Sequence, residues 1–146
     1  EPIRIAVAEP EDVALYGTVI DSTIQVEWVL DAEPHSGPIE ALIEAFEDPL
    51  VDEETVQLAP VDVPWVNSAL FAGLEGALGP SDCLAMPSDG LWAHPLLALV
   101  RPKMVVERLK SGDRRPLHVQ FAEMEHSLML EEPALLRNIN TPADLE

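Results

Sequence analysis

The stretch from Thr55 to Trp65 constrains the fold more than any other part of this sequence. A short apolar run over residues 56–61 ends abruptly at Asp62, and a proline lies on either side of the acid. Such a run, bounded by turn residues, predicts a buried central strand. Asp62 then lies at the carboxyl end of that strand, which is the edge where open parallel α/β sheets bind ligands.

Asp62 is a candidate metal ligand because of this placement. Proteins commonly bind Mg²⁺ through one or two carboxylates together with phosphate oxygens. The alternative is an Asp in a turn or at a helix cap, although Asn67 or Ser68 can also cap the helix that follows. The residues alone leave both interpretations open.

Composition restricts the class of protein. The chain has 146 residues and is 47% hydrophobic, which predicts one folded domain with a sizeable core. Its net charge is -19, and no Lys or Arg lies between Arg4 and Arg101. This distribution argues against nucleic acid as a partner, since duplex binding needs a basic footprint. No apolar run reaches about 18 residues and no signal peptide is visible, so we expect a cytoplasmic protein without a membrane span.

Apolar periodicity predicts alternating strands and helices through residue 80, which is typical of an α/β fold with a mostly parallel sheet. The predicted strands cover residues 3–7, 24–30, 56–61, 84–86, 92–100 and 127–130, and His94-Pro95 interrupts the fifth of them. The predicted helices begin near residues 9, 38, 67, 102 and 140, and Leu117, Val119 and Phe121 mark an amphipathic stretch of unassigned type. A turn at Ser88 to Gly90 predicts a hairpin and therefore an antiparallel addition to the sheet. Gly73, Gly76 and Gly79 follow a helical pattern, so we interpret them as close-packing positions and not as a phosphate loop, and we expect the helix to end at Gly79-Pro80.

Several polar residues allow two interpretations. Asp31 closes the second strand and is a second acid at a strand end. His94, between Ala and Pro, is typical of a packing or hydrogen-bonding residue. Arg114 and Arg115 form either a solvated turn or an anion contact.

An ordered set of short motifs resembles the molybdenum cofactor guanylyltransferases, which are MobA-like nucleotidyltransferases. The motifs are Asp31, Ser36-Gly37-Pro38-Ile39, Ala59-Pro60-Val61-Asp62-Val63-Pro64, His94-Pro95-Leu96-Leu97-Ala98-Leu99, Ser111-Gly112-Asp113-Arg114-Arg115 and Asn138-Ile139-Asn140-Thr141-Pro142. The resemblance covers nearly the whole chain. The last motif and the His-Pro pair favour this family over its cytidylyltransferase relatives.

The resemblance implies a Rossmann-like, GT-A-like three-layer nucleotidyltransferase fold and transfer of GMP from GTP to molybdopterin with Mg²⁺. Asp62 matches the catalytic aspartate that binds the metal and the nucleotide. Asp31 matches a second acid that binds the nucleotide, and Gly37 and Pro38 match the loop beside the nucleotide. The positions that match the substrate-binding side are His94, Arg114, Arg115, Asn138 and Asn140. The implied partners are GTP, molybdopterin and molybdoenzyme-maturation proteins.

The sequence departs from the family at its start. The family opens with a strand and a Gly-rich loop whose Lys neutralises the triphosphate. Residues 1–146 resemble only the part of the family pattern that follows this unit. We therefore expect a single domain that lacks the first strand–loop–helix unit. Two alternatives follow: a non-catalytic homologue that binds a pterin, a nucleotide or a protein, and a cytidylyltransferase relative.

Overall fold

The computed structural model describes residues 3–7, 11, 26–30, 38–47, 54–60, 63, 65–110, 112–113 and 115–137. The chain divides into two compact units, Glu1–Val51 and Asp52–Glu146. Each is described by itself below. The expectation that both belong to one domain stays a prediction.

The first unit contains a two-stranded parallel sheet and a helix. Strands β1 (Ile3–Val7) and β2 (Val26–Leu30) pair over their full lengths. Helix α1 (Pro38–Glu47) begins at a proline, which suits the first helical position because the missing N–H has no intrahelical partner there. Leu42 and Phe46 lie four residues apart on one buried side of α1. The predicted strands and helix are thereby confirmed, and Glu11 is helical as predicted.

The second unit contains a mixed sheet of four short strands. These are β3 (Val56–Gln57), β4 (Leu84–Ser88), β5 (Leu99–Val100) and β6 (His126–Leu130), in the order β3-β5-β4-β6. Strand β5 is antiparallel to both neighbours, whereas β4 and β6 are parallel. The α/β class and the antiparallel addition are therefore both confirmed.

Strand β3 differs from the prediction. Among the described residues 54–60, only two form the strand, both half-buried, and they pair with β5 in this sheet. The strand is thus shorter there than predicted. One further ladder bond forms, from Leu58 N to Ala98 O at 3.0 Å. Pro60 follows shortly after and has no N–H to donate, which limits the strand.

Residues 92–100 were predicted as one strand interrupted at His94-Pro95, and the structure has a longer interruption and a shorter strand. A 3₁₀ helix (Pro95–Leu97) precedes β5, because Pro95 has a fixed φ and no N–H and so suits the start of a helical turn. The predicted turn is confirmed: Asp89 Oδ1 accepts hydrogen bonds from the backbone N–H groups of Leu91 and Trp92 at 2.9 and 2.8 Å. Gly90 has φ +96°, a left-handed conformation that favours glycine.

The remaining helices flank this sheet. They are α2 (Ser68–Ala77), α3 (Pro102–Leu109), α4 (Leu117–Glu123) and a 3₁₀ helix (Pro133–Leu136). Asn67 caps α2, since its side chain accepts from Leu70 N at 3.0 Å, which confirms one of the two predicted caps. Among the described helices, none has the length and apolar character that crossing a membrane requires.

Candidate active site

A single buried cluster joins the chain segments next to three predicted site residues. Val63 follows Asp62, Leu97 lies shortly after His94, and Leu136 lies shortly before Asn138. All three side chains belong to one cluster and are at most 3% exposed. The core therefore brings together the segments that lead to Asp62, His94 and Asn138, although their sequence positions are far apart.

A surface contact joins two of the same segments. The Arg137 guanidinium carbon lies 4.2 Å from the centroid of the Trp65 ring, a cation–π arrangement. Trp65 follows the Asp62 motif and Arg137 directly precedes Asn138. The sequence contains no local signal for this pair because the two residues are distant in the chain.

Gln57 links the strand before Asp62 to the 3₁₀ helix after His94. Its Nε2 donates to Leu97 O at 2.7 Å and to Leu58 O at 2.8 Å. Its Oε1 is buried and has no hydrogen-bond partner among the described residues. This linking role of Gln57 was not predicted from the sequence, since a Gln in a short strand normally faces solvent.

His94 lies beside the carboxyl end of β4, where its backbone N–H donates to Pro87 O at 3.0 Å, and its side chain pairs with Asp89. Their Nε2 and Oδ2 atoms are 3.3 Å apart, and the two side chains are 25% and 18% exposed. The N–H groups of Trp92 and Leu91, and then His94, hold the pKa of Asp89 below its usual value. An ionised carboxylate can only accept, so Nε2 of His94 is the donor in this pair.

An exposed apolar surface lies beside this pair. Leu91 and Trp92 on the turn are 86% and 71% exposed, and Leu130 at the carboxyl end of β6 is 77% exposed. Because β4 and β6 are parallel, both end at the same edge, and Leu130 lies close to Gly90. Exposed aromatic rings of this kind can stack on a flat ligand while neighbouring polar groups orient it. Trp92 was not identified from the sequence.

Arg115 is held by two carboxylates. It donates to Asp113 Oδ2 at 2.6 Å and to Glu123 Oε1 and Oε2 at 2.6 and 2.5 Å. Glu123 and then Asp113 raise the pKa of Arg115, and the guanidinium lowers the pKa of both carboxyls. An anionic ligand at this guanidinium would have to compete with both acids.

The other predicted site residues are one residue of the first unit and six that lie outside the described part of the chain. Pro38 is the first residue of α1. Those outside the described residues are Asp31, Gly37, Asp62, Arg114, Asn138 and Asn140. Within the described ranges, no group of three or more His, Cys, Asp or Glu side chains could hold a metal ion.

Comparison with known families identifies the class of protein. Residues 2–126 match the family model described as the MobA-like NTP transferase domain. The chain belongs to this family. The match confirms the resemblance that the ordered motifs indicated, and it covers Asp31, Asp62, His94 and the Arg pair.

The MobA-like chain is also similar to individual proteins. The molybdenum cofactor guanylyltransferase of Shewanella frigidimarina is 29% identical over 114 residues, which cover 73% of this chain and 56% of that protein. The MobA-like chain thus spans a little over half the length of this curated relative.

Two crystal structures show the same fold. Aq1419 from Aquifex aeolicus matches with a TM-score of 0.71 at 19% identity, over 94% of this chain and 70% of that one. Molybdopterin-guanine dinucleotide biosynthesis protein A from Archaeoglobus fulgidus matches with a TM-score of 0.67 at 17% identity, over 97% of this chain and 74% of that one. The MobA-like nucleotidyltransferase fold is thereby confirmed.

Proposed function

We propose that this protein transfers GMP from GTP to molybdopterin and so forms a guanine dinucleotide of the cofactor. The observation that carries the proposal is the similarity to the Shewanella protein, whose name specifies guanylyl transfer. The order of the motifs, with Asn-Ile-Asn-Thr-Pro after Arg137, also supports guanylyl over cytidylyl transfer.

The reaction requires positioning and charge stabilisation, and no covalent enzyme intermediate. An oxygen of the terminal phosphate of molybdopterin attacks the α-phosphorus of GTP in line and forms a new P–O bond. The bond between the α-phosphorus and the oxygen that bridges to the β-phosphorus breaks, and pyrophosphate is released. Asp62 would hold Mg²⁺, for which a carboxylate is a suitable ligand. When bound, the metal would offset charge that develops on the phosphate oxygens.

The edge beyond β4 and β6 would receive the pterin. Trp92 offers a flat apolar face, and His94, oriented by the ionised Asp89, offers a hydrogen-bonding ring nitrogen beside it. A pterin has a flat heteroaromatic ring with polar edges, and both features match this surface.

The other assignments rest on the resemblance. The nucleotide would contact the first unit. The acceptor phosphate would contact basic and amide side chains that follow position 100. The residues concerned are Asp31, Gly37 and Pro38 for GTP, and Arg114, Asn138 and Asn140 for molybdopterin. A net charge of -19 makes such contacts necessary, since both substrates are anions.

The proposal is tested by assaying the complete protein with Mg²⁺, molybdopterin and either GTP or CTP, and by following pyrophosphate release and the dinucleotide product. We expect GTP to be the donor and Asp62→Ala to lower kcat by about 10² or more, because a group that stabilises transition-state charge is lost. Glu75→Gln, an exposed position on α2, is the matched control and should leave the rate unchanged.

Three outcomes would contradict the proposal, each in a different way. Near-normal turnover of Asp62→Ala would remove the metal assignment. Product formation from CTP in place of GTP would identify a cytidylyltransferase. Binding of molybdopterin without transfer from any nucleotide would identify a non-catalytic binding module.

A further inference from the structure

Strand β6 has an outer edge, the long side of the strand that faces away from β4. Among the described residues, β6 pairs with β4 alone. The Glu131 N–H donates to Ser88 O at 2.8 Å, so the odd-numbered residues of β6 direct their backbone groups towards β4. Backbone groups alternate along a strand, and the N–H and C=O groups of Leu128 and Leu130 therefore point towards the outer edge. Outward groups of this kind are a template for pairing with another strand.

The side chains beside the outer edge include an exposed apolar pair. Leu128 and Leu130 are 54% and 77% exposed, and they project from the same face because side chains alternate along a strand. The intervening Met129 lies on the other face, with its Sδ close to Gly73 of α2. Leu130 also adjoins Gly90 in the exposed turn after β4. Contiguous exposed apolar groups mark sites of protein interaction.

Acidic residues flank the exposed leucines on both sides. Glu125 directly precedes β6 and its side chain is 65% exposed, while Glu131 and Glu132 directly follow the strand. If two copies of the chain paired antiparallel about Leu128, Glu125 of each copy would lie opposite Glu131 of the other. In parallel pairing in register, each Glu would lie beside its own copy. Like charges directly opposite each other destabilise a strand pair, and each copy also carries a net charge of -19.

We propose that the outer edge of β6 adds a strand from a different protein, an extended segment with an apolar centre and Lys or Arg on both sides. The apolar centre covers Leu128 and Leu130, and the flanking cations pair with Glu125 at one end and with Glu131 or Glu132 at the other. In strand addition of this kind, main-chain hydrogen bonds supply affinity and the alternate side chains supply specificity. This interaction does not depend on the proposed transfer reaction.

The proposal is tested on the whole, isotopically labelled chain with a synthetic peptide, Lys-Lys-Val-Thr-Val-Thr-Val-Lys-Lys. With the peptide at millimolar concentration, we expect amide hydrogen exchange to slow several-fold at Leu128 and Leu130, because their N–H groups gain acceptors on the added strand. Exchange at Ser127 and Met129 should change little, since the backbone groups of these residues face β4. Unchanged exchange at both leucines would overturn the proposal.

Two control peptides separate strand addition from simple attraction to an acidic protein. Glu-Glu-Val-Thr-Val-Thr-Val-Glu-Glu keeps the strand-forming centre, and Lys-Lys-Gly-Ser-Gly-Ser-Gly-Lys-Lys keeps the charge. Neither should slow exchange at Leu128 or Leu130. Equal protection by the Glu peptide would overturn the requirement for flanking cations, and equal protection by the Gly-Ser peptide would overturn the requirement for an apolar strand.

Variants of the outer edge test which side chains recognise the peptide. Glu131→Gln should weaken peptide binding about two- to fivefold, as expected for the loss of one cross-strand charge pair. Leu128→Ser should also weaken binding, because it removes exposed apolar surface. Glu75→Gln loses the same charge at an exposed position on α2 and should bind as the wild type does. Equal weakening by Glu75→Gln and Glu131→Gln would overturn the contact with the flanking acids.

Self-association through the same edge is the competing outcome. Sedimentation of the wild-type protein over a range of concentrations should show no dimer that depends on Leu128, because repulsion between the flanking acids opposes it. A wild-type dimer that Leu128→Ser dissociates would assign the outer edge to a second copy of the chain and overturn the proposal.

Discussion

Asp82 is a single residue whose carboxylate connects the turn after α2 to β6. Its Oδ2 accepts from Ser127 Oγ on β6 at 2.6 Å and from the Gly79 N–H after α2 at 2.7 Å. Arg101 donates to Gly79 O at 2.9 Å and also to Asp82 O. Ser127 and then Gly79 hold the pKa of Asp82 below its usual value of 3.8.

This lowered pKa predicts a pH dependence of stability. The folded state releases the Asp82 proton more readily than the unfolded state, so the carboxylate stabilises the fold above the ordinary pKa. That contribution is lost as the pH falls through the folded-state value. We expect Asp82→Asn to lower the urea concentration at the unfolding midpoint at neutral pH. Below about pH 4, where unperturbed Asp carboxyls titrate, the midpoint of the variant should fall less steeply with pH than that of the wild type.

The measurement is a series of urea unfolding curves from neutral to acid pH, with Glu75→Gln as the control. Asp89, Asp113 and Glu123 also have lowered pKa values, so some decline should remain in the variant. A decline as steep as that of the wild type would contradict the assignment to Asp82.

At the scale of one element, α2 contains two glycines in different surroundings. A Cβ at Gly73 would come within 2.6 Å of Met129 Sδ on β6, whereas a Cβ at Gly76 would have nothing within 4 Å. The prediction of close packing is therefore confirmed at Gly73 and is wrong at Gly76. A Cβ at Gly79, beyond the end of the helix, would also make a close approach, 2.9 Å from Asp82 Oδ2. The small residue at Gly73 lets the helix approach the sheet at this point.

The two glycines form a matched pair for mutation. Gly76→Ala should raise the free energy of unfolding by about 0.5–1 kcal/mol, since Ala has the better helix propensity. Gly73→Ala should gain less or lose stability, because the Met129 thioether must rotate out of its packed position. Urea unfolding of both variants measures the difference, and equal stabilisation would show that Met129 adjusts without cost.

At the scale of the whole molecule, charge is the dominant property. The chain has 27 acidic residues against 8 Lys and Arg, and all but one of the basic residues follow position 100. Self-repulsion of a net charge of this size destabilises the compact state. Screening by salt should therefore stabilise the protein.

We expect the melting temperature at neutral pH to rise as NaCl is raised from about 0.1 M to about 1 M, since the Debye length falls from ~10 Å to ~3 Å. The same titration near pH 4.2, the sequence pI, is the control and should give a smaller rise. A melting temperature that is insensitive to salt at neutral pH would contradict this expectation.

Local patterns in the sequence determined much of the fold. Alternating apolar residues predicted β1, Pro38 predicted the start of α1, and Asn67 was one of two predicted caps for α2. The turn at Asp89 was also predictable, because its side chain accepts from N–H groups only two and three residues ahead. In each case the physical cause lies within a few residues of the chain.

Tertiary structure alone decided the contacts that position the candidate site. The length and place of β3 depend on its partner β5, and the different surroundings of Gly73 and Gly76 depend on a side chain from β6. Two further contacts join separate elements: the Trp65–Arg137 stack and the hydrogen bond from Gln120 Nε2 to Arg115 O. A single sequence contains the residues of such contacts but not their pairing, because pairing arises when distant segments pack against each other.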